Sequence, residues 1–257
     1  MINIDHDKWA NQAKNARLES VFKNFYWPAM TFSLLTLDRS TGQLGGVSAT
    51  GNLCVGGWVL RGDAQCGLSA SQGAEPSVLW GEDVLAGMKA GGNASEAVSE
   101  VTAADPRREW RQLAALDRSG GGGVFSGRQN GALVQHLVED DLVVAGNILA
   151  NDRVLTQMMD GFHNGRGDLA DRLLAALRSG AKVGGDSRGL MSAAMLIVAH
   201  DKPTLTLRVD YDEKPVDKLE SLLALTRDPA YSQWLDVLPT IDRPHGVGAS
   251  KSPPDQI

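Results

Sequence analysis

"PAMTFSLLTLDRSTGQLGGVSATG", residues 28–51, is the stretch that decides the fold. From Thr31 to Asp38 it is rich in β-formers and apolar on both faces, with Phe32 and Leu34 on one and Leu35 and Leu37 on the other. A strand patterned this way is buried from both sides. Residues 38–43, "DRSTGQ", supply turn formers, and "LGGVSATG" returns as a second strand, so a hairpin is predicted. Its first strand opens abruptly on the pair Met30-Thr31.

Upstream, residues 5–26 read as an amphipathic helix capped by Asp5, with Trp9, Ala13, Ala16, Phe22 and Phe25 at helical spacing. Pro28 ends it. Residues 1–29 therefore read as an arm ahead of a main domain spanning 30–228. Within that domain "QCGLSAS" (65–71) is predicted as a third strand, followed by helices starting at Ser77 and Asn93. Asn93 and Glu96 stand at capping-box spacing. Strands are predicted at 111–117, 124–127 and 133–147, with the glycines at 120–123 as a flexible turn. Two more helices follow, one capped by Asn151 and ending at Gly165, one capped by Asp168 and stopping at Gly180. Residues 192–199 and 204–211 return as strands, and a helix over 216–225 closes the domain. Residues 229–257, proline-rich and short of periodic apolar content, read as a C-terminal tail.

Hairpin-linked strands alternating with consecutive helix pairs do not build βαβ crossovers. They build an α+β fold: a four-layer α-β-β-α sandwich of two mainly antiparallel sheets, each covered by helices.

Composition narrows the function. A chain of 257 residues, 42% hydrophobic, buries a sizeable core without metal or disulfide staples. Its net charge of −6 and lack of a basic run argue against nucleic-acid and anionic-membrane partners. No apolar run reaches the ~20 residues that span a bilayer, and the charged N-terminus does not resemble a signal peptide. Cys54 and Cys66 form no C-x-x-C pair and read as free thiols of a reducing, cytoplasmic compartment. The histidines at 6, 136, 163, 200 and 245 lack metal-ligand spacing, and no phosphate-binding glycine loop is present. No metal or cofactor is implied.

A sandwich whose first core strand begins at a threonine resembles the N-terminal-nucleophile (Ntn) hydrolases. More closely, "MTFSLLTLDRSTGQLGGVSATG", "REWRQLAALD", "VVAGNILA", "GDLADRLLAAL" and "GGDSRGLMSAAMLIV" resemble the bacterial family of unknown function numbered 1028, from Met30 to about Arg227. The resemblance implies an Ntn-like fold and a chain that starts functionally at Thr31. A hydroxyl is a poor nucleophile until a base takes its proton, and a free α-amine on the same residue does so. The unperturbed pKa of such an amine, about 7.7–8.0, leaves a neutral fraction near neutrality. An amine held in a peptide bond cannot serve, so the 29 residues before Met30 are a mis-assigned start, a cleaved propeptide or a retained arm.

The remaining candidates each have a plainer reading. Ser33 lies on the Thr31 face and can bond that site, or is an ordinary strand serine. Asn147 can hold an oxyanion, or it forms the turn out of its strand. Asp186 can orient the Thr31 amine and Arg188 can clamp a substrate carboxylate, or the two make a local ion pair in a glycine-rich turn. The Gly185-x-Ser187-x-Gly189 match in that turn is no nucleophile elbow, because an elbow needs a strand before it and a helix after it. Gln72 is a pocket-rim candidate, and Glu75-Pro76 stands where the family often has Asn-Pro. Glu109, Arg111 and Gln112 read as a solvated strand start.

Together with the resemblance, these residues lead to the expectation of an Ntn-type amidohydrolase taking a small-molecule amide or related acyl compound. The alternatives are a non-catalytic ligand-binding or scaffold protein on the same fold, and a peptidase that would need ring assembly. Homo-oligomerisation is left open.

Overall fold

The computed structural model describes residues 30–184 and 189–246. The arm predicted over 5–26 lies outside them, as do Asp186, Ser187 and Arg188.

Among the described residues ten strands form two antiparallel sheets. The larger contains β1 (Thr31–Asp38), β2 (Gln43–Thr50), β7 (Gln135–Glu139), β8 (Leu142–Asn147), β9 (Ser192–Val198) and β10 (Leu205–Val209), in the order β10-β9-β2-β1-β8-β7. The smaller contains β3 (Leu60–Asp63), β4 (Gly67–Gly73), β5 (Arg111–Asp117) and β6 (Gly122–Ser126), in sequence order. Helices α2 (Val78–Lys89) and α3 (Ala94–Ala103) cover the small sheet. Helices α4 (Val154–Asn164), α5 (Leu169–Gly184) and α6 (Pro215–Leu225) cover the large one. A single helical turn, α1 (Val55–Trp58), links β2 to β3.

Three apolar layers hold these four together. Phe32, Leu34 and Val144 pack on Leu155, Met158, Leu173 and Leu177 on the helical side of the large sheet. Leu35, Leu44 and Val143 meet Leu68, Ala114 and Leu116 between the sheets. Leu113 and Ala115 pack on Trp80, Val84 and Val98 beneath α2 and α3. The two-sided burial of β1 is thus the α-β-β-α layering itself, and the expected fold class holds.

Several local expectations are corrected. Residues 133–147 do not run as one strand: they fold into the β7–β8 hairpin, with Asp141 at φ 67° in the turn. Strand β3 and the turn α1 lie in a stretch read without structure. Gly122 and Gly123 belong to β6 rather than to a flexible turn. Asn151 does not cap α4 directly; its Oδ1 accepts from the N–H of Arg153, which is itself the N-cap. Gly180 does not stop α5, which continues to Gly184. A Cβ at 180 would come within 2.6 Å of Met158 Cγ, so glycine there allows the close approach of α4 and α5. Within the stretch read as a tail, Pro229–Val237 form helix α7, which has no buried residue.

Candidate active site

Side chains alternate faces along a strand, and this places the polar residues. On β1 the face carrying Leu35 and Leu37 also carries Ser33 and Thr31, so both point toward the small sheet. By the same parity Thr50 of β2 and Asn147 of β8 point inward, as do Gln72 of β4 and Gln112 of β5 from the opposite side. The apolar seam between the sheets therefore ends in a cluster of buried hydroxyls and amides.

Thr31 lies at its centre. It pairs with Thr50 on one side and with Asn147 on the other. Thr50 Oγ1 donates to the carbonyl of Met30 at 2.8 Å, and the N–H of Gly51 reaches that carbonyl at 3.2 Å. With the Thr50 proton so committed, the 3.0 Å contact between the two hydroxyls has Thr31 as donor. Ser33 Oγ donates to Gln72 Oε1 at 2.9 Å, and Gln72 Nε2 donates to Gln112 Oε1 at 2.8 Å. Gln72 Nε2 also lies 3.4 Å from the Thr31 carbonyl. Gln112 turns its own Nε2 to Ser126 Oγ at 2.9 Å and to the Gln135 carbonyl at 3.0 Å. Ser126 Oγ in turn stands 3.1 Å from Nδ1 of the exposed His136.

Asn147 is the exception to this pairing. Its side chain is 0% exposed, and neither Oδ1 nor Nδ2 has a hydrogen-bond partner among the described residues. Most buried polar atoms are paired, and one left unpaired costs about 1–3 kcal/mol. As Thr31 stands directly opposite, the two Cβ atoms are separated by about 4.5–5.5 Å. Ile148, the next residue, takes φ 55°, unusual for a β-branched side chain, and ends β8 at this point. Its N–H donates to the carbonyl of buried Asn130 at 3.2 Å, whose Oδ1 accepts from Ala74 N–H at 2.8 Å. The end of β8 is thereby tied to the loop after β4.

A cavity of about 560 Å³ opens over Thr31. Thr31, Thr50, Asn52 and Gln72 give it polar groups, while Leu53, Val55, Trp58, Val59, Pro76 and Trp110 make apolar walls. Thr31 is 7% exposed, so its contact with solvent is through this opening. Glu75 also lines it; hydrogen bonds from the Arg107 guanidinium hold its carboxyl below the usual range. Among the described residues no cluster of His, Cys, Asp or Glu could hold a metal ion, and no helix is long and apolar enough to cross a membrane.

Of the residues expected from the sequence, Thr31, Ser33, Gln72 and Asn147 thus come together at one end of the sandwich. Asp186 and Arg188 lie outside the described residues. Gln112 overturns its reading as solvated rim: it is wholly buried within the cluster. Its parity with Ala114 and Leu116 carried that signal, but a strand apolar on both faces gives alternation little contrast. Thr50 belongs to no catalytic motif, yet counting the β1–β2 register back from the turn sets it opposite Thr31.

A family model described as a family of unknown function (DUF1028) matches residues 31–219. The crystal structure of protein SPO2555 from Silicibacter pomeroyi, matched to that same family model, is similar at 39% identity with a TM-score of 0.84. The alignment covers 89% of this chain and 99% of that one. Eukaryotic HslV from Trypanosoma brucei aligns at 11% identity and a TM-score of 0.44, over 66% of this chain and 99% of that one. No curated protein matches the chain.

Proposed function

This chain belongs to the DUF1028 family, and on that premise we propose that it is an amidohydrolase whose nucleophile is Thr31, acting as the first residue of a processed chain. The observation that carries the reading is the pairing of Thr31, which lines the cavity, with Asn147, a buried amide whose side chain has no described partner. The family match opens at residue 31, which supports the same start.

With the Met30–Thr31 bond hydrolysed, the free α-amine takes the proton from Thr31 Oγ1 as the oxygen attacks the substrate carbonyl carbon. Negative charge develops on the carbonyl oxygen, and Asn147 Nδ2 donates to it. A fixed donor of this kind is worth about 10²–10³ in rate. Collapse breaks the C–N bond, the Thr31 ammonium returns its proton to the departing amine, and an ester on Thr31 remains. Water, deprotonated by the same amine, hydrolyses that ester and restores the hydroxyl. Ser33, Gln72 and Gln112 hold the Thr31 backbone in place through their chain of hydrogen bonds. The free thiols Cys54 and Cys66 fit a reducing, cytoplasmic setting.

A second reading has its own support. Met30 is 2% exposed and packs in the core with Phe32, and its carbonyl has two donors. A chain that keeps this bond closed is a binding protein on an enzyme's scaffold. Intact mass of natively produced protein separates the two. The enzyme reading expects a chain starting at Thr31 and loss of amide turnover in Thr31→Ala with unchanged melting. Amide turnover by a chain still joined at Met30–Thr31 overturns it.

A further inference from the structure

The cavity over Thr31 is apolar in its walls and carries no unpaired cation among the described residues. Glu75 is the charged side chain in its lining. The two guanidiniums that hydrogen-bond Glu75 are already engaged. Arg107 grips the Glu75 carboxylate through Nε at 2.7 Å and through Nη2, and lies 5.7 Å over the Trp110 ring. Arg111 is bound to Asp105 at 2.9 Å and to the Glu75 carbonyl. Among the described residues, an anion entering here would find no free counter-charge to replace the hydration it sheds, which is costly.

Two indoles open onto the same space. Trp58 is 52% exposed and Trp110 37% exposed, large apolar surfaces that a ligand in the cavity would remove from water. Thr31 and Asn52 provide directional polar groups that orient a ligand in an otherwise apolar pocket.

We propose that the substrates of this site are uncharged amides of apolar or aromatic acids, bound with the hydrocarbon between Trp58 and Trp110 and the amide on Thr31, and that carboxylate-bearing amides are excluded. The proposal rests on the hydrolase reading for the word substrate but not for the binding.

The test is calorimetric titration of the full chain, and of its Thr31→Ala variant, with 4-phenylbutyramide and with 4-phenylbutyrate at pH 7. The amide is expected to bind at least tenfold more tightly than the acid. Trp58→Ala and Trp110→Ala should each weaken the amide about fivefold or more, and Glu75→Gln should narrow the amide-to-acid ratio. Equal or tighter binding of the acid overturns the proposal, above all if Arg188→Ala abolishes it. So does failure of both probes to bind, or amide binding indifferent to both tryptophans. Because Thr31→Ala cannot turn over, tight amide binding without hydrolysis by a parent chain that starts at Thr31 refutes the nucleophile and leaves the ligand class standing. Hydrolysis confined to anionic amides does the reverse.

Discussion

Ser33 on β1 donates its hydroxyl to Oε1 of Gln72 on β4 at 2.9 Å, a hydrogen bond that crosses from one sheet to the other. Elsewhere this seam is closed by leucine, valine and alanine. Gln72→Leu would leave the Ser33 hydroxyl without its acceptor and Gln112 Oε1 without its donor. At ~1–3 kcal/mol for each of the two stranded groups, the expected loss is about 2–6 kcal/mol by urea denaturation. Ser33→Ala removes one partner only and should cost about 1 kcal/mol. Wild-type stability in Gln72→Leu would mean that the network does not join the sheets.

Asn147 sets stability against function. An unpaired amide destabilises the folded chain, and leucine of similar shape does not carry that cost. Asn147→Leu is therefore expected to raise the melting temperature by a few degrees, corresponding to about 1 kcal/mol. Turnover, where Thr31 is exposed, should fall by about 10²–10³. A lower melting temperature would show that the amide is satisfied in solution.

What could be read from the sequence was either local or strongly periodic. Asn93 and Glu96 form the expected capping box because both partners lie within one helical turn. Asp168 likewise accepts from Asp171 N–H at 3.0 Å. The layering followed from the leucines and phenylalanine that β1 carries on both faces, which need cover on each side. What failed depended on contacts distant in sequence. The β7–β8 turn uses Asp141 at positive φ where glycine would have announced it. Gly180 is small because Met158 approaches it, not because a helix ends there. Thr31, Thr50, Gln72, Gln112 and Asn147 converge only once two sheets have been stacked in register.

Gly123 carries the same lesson into a measurement. It lies within β6, and a Cβ there would stand 2.4 Å from the Ala94 carbonyl oxygen and 2.7 Å from Ser95 Cα. Those are backbone atoms at the start of α3 and cannot swing aside as a side chain can. Gly123→Ala should cost roughly 2–3 kcal/mol, at the upper end of overpacking. Gly91, whose Cβ would meet nothing within 4 Å but whose φ is 106°, is the control in which strain alone acts. Gly123→Ala melting no lower than Gly91→Ala would show that α3 lies farther from the sheet than described.

Asp117 predicts how the same contact responds to acid. Its carboxylate accepts from Ala94 N–H at 2.9 Å at the start of α3, and from Ser119 N–H and Gly121 N–H in the turn before β6. Burial alone would raise its pKa, but the hydrogen bonds, led by that from the Ser119 hydroxyl, outweigh it and hold the carboxyl below 3.8. The folded-state pKa being lower than the unfolded one, this stabilisation is complete above the unfolded value and is lost as pH falls through the folded one. Asp117→Asn should thus melt lower than the parent at pH 7, by about 1 kcal/mol for a weakened cap. The two melting curves should converge as the pH is taken well below 3.8. A gap that stays constant from pH 7 into acid would assign the loss to packing rather than to the charge of this carboxylate.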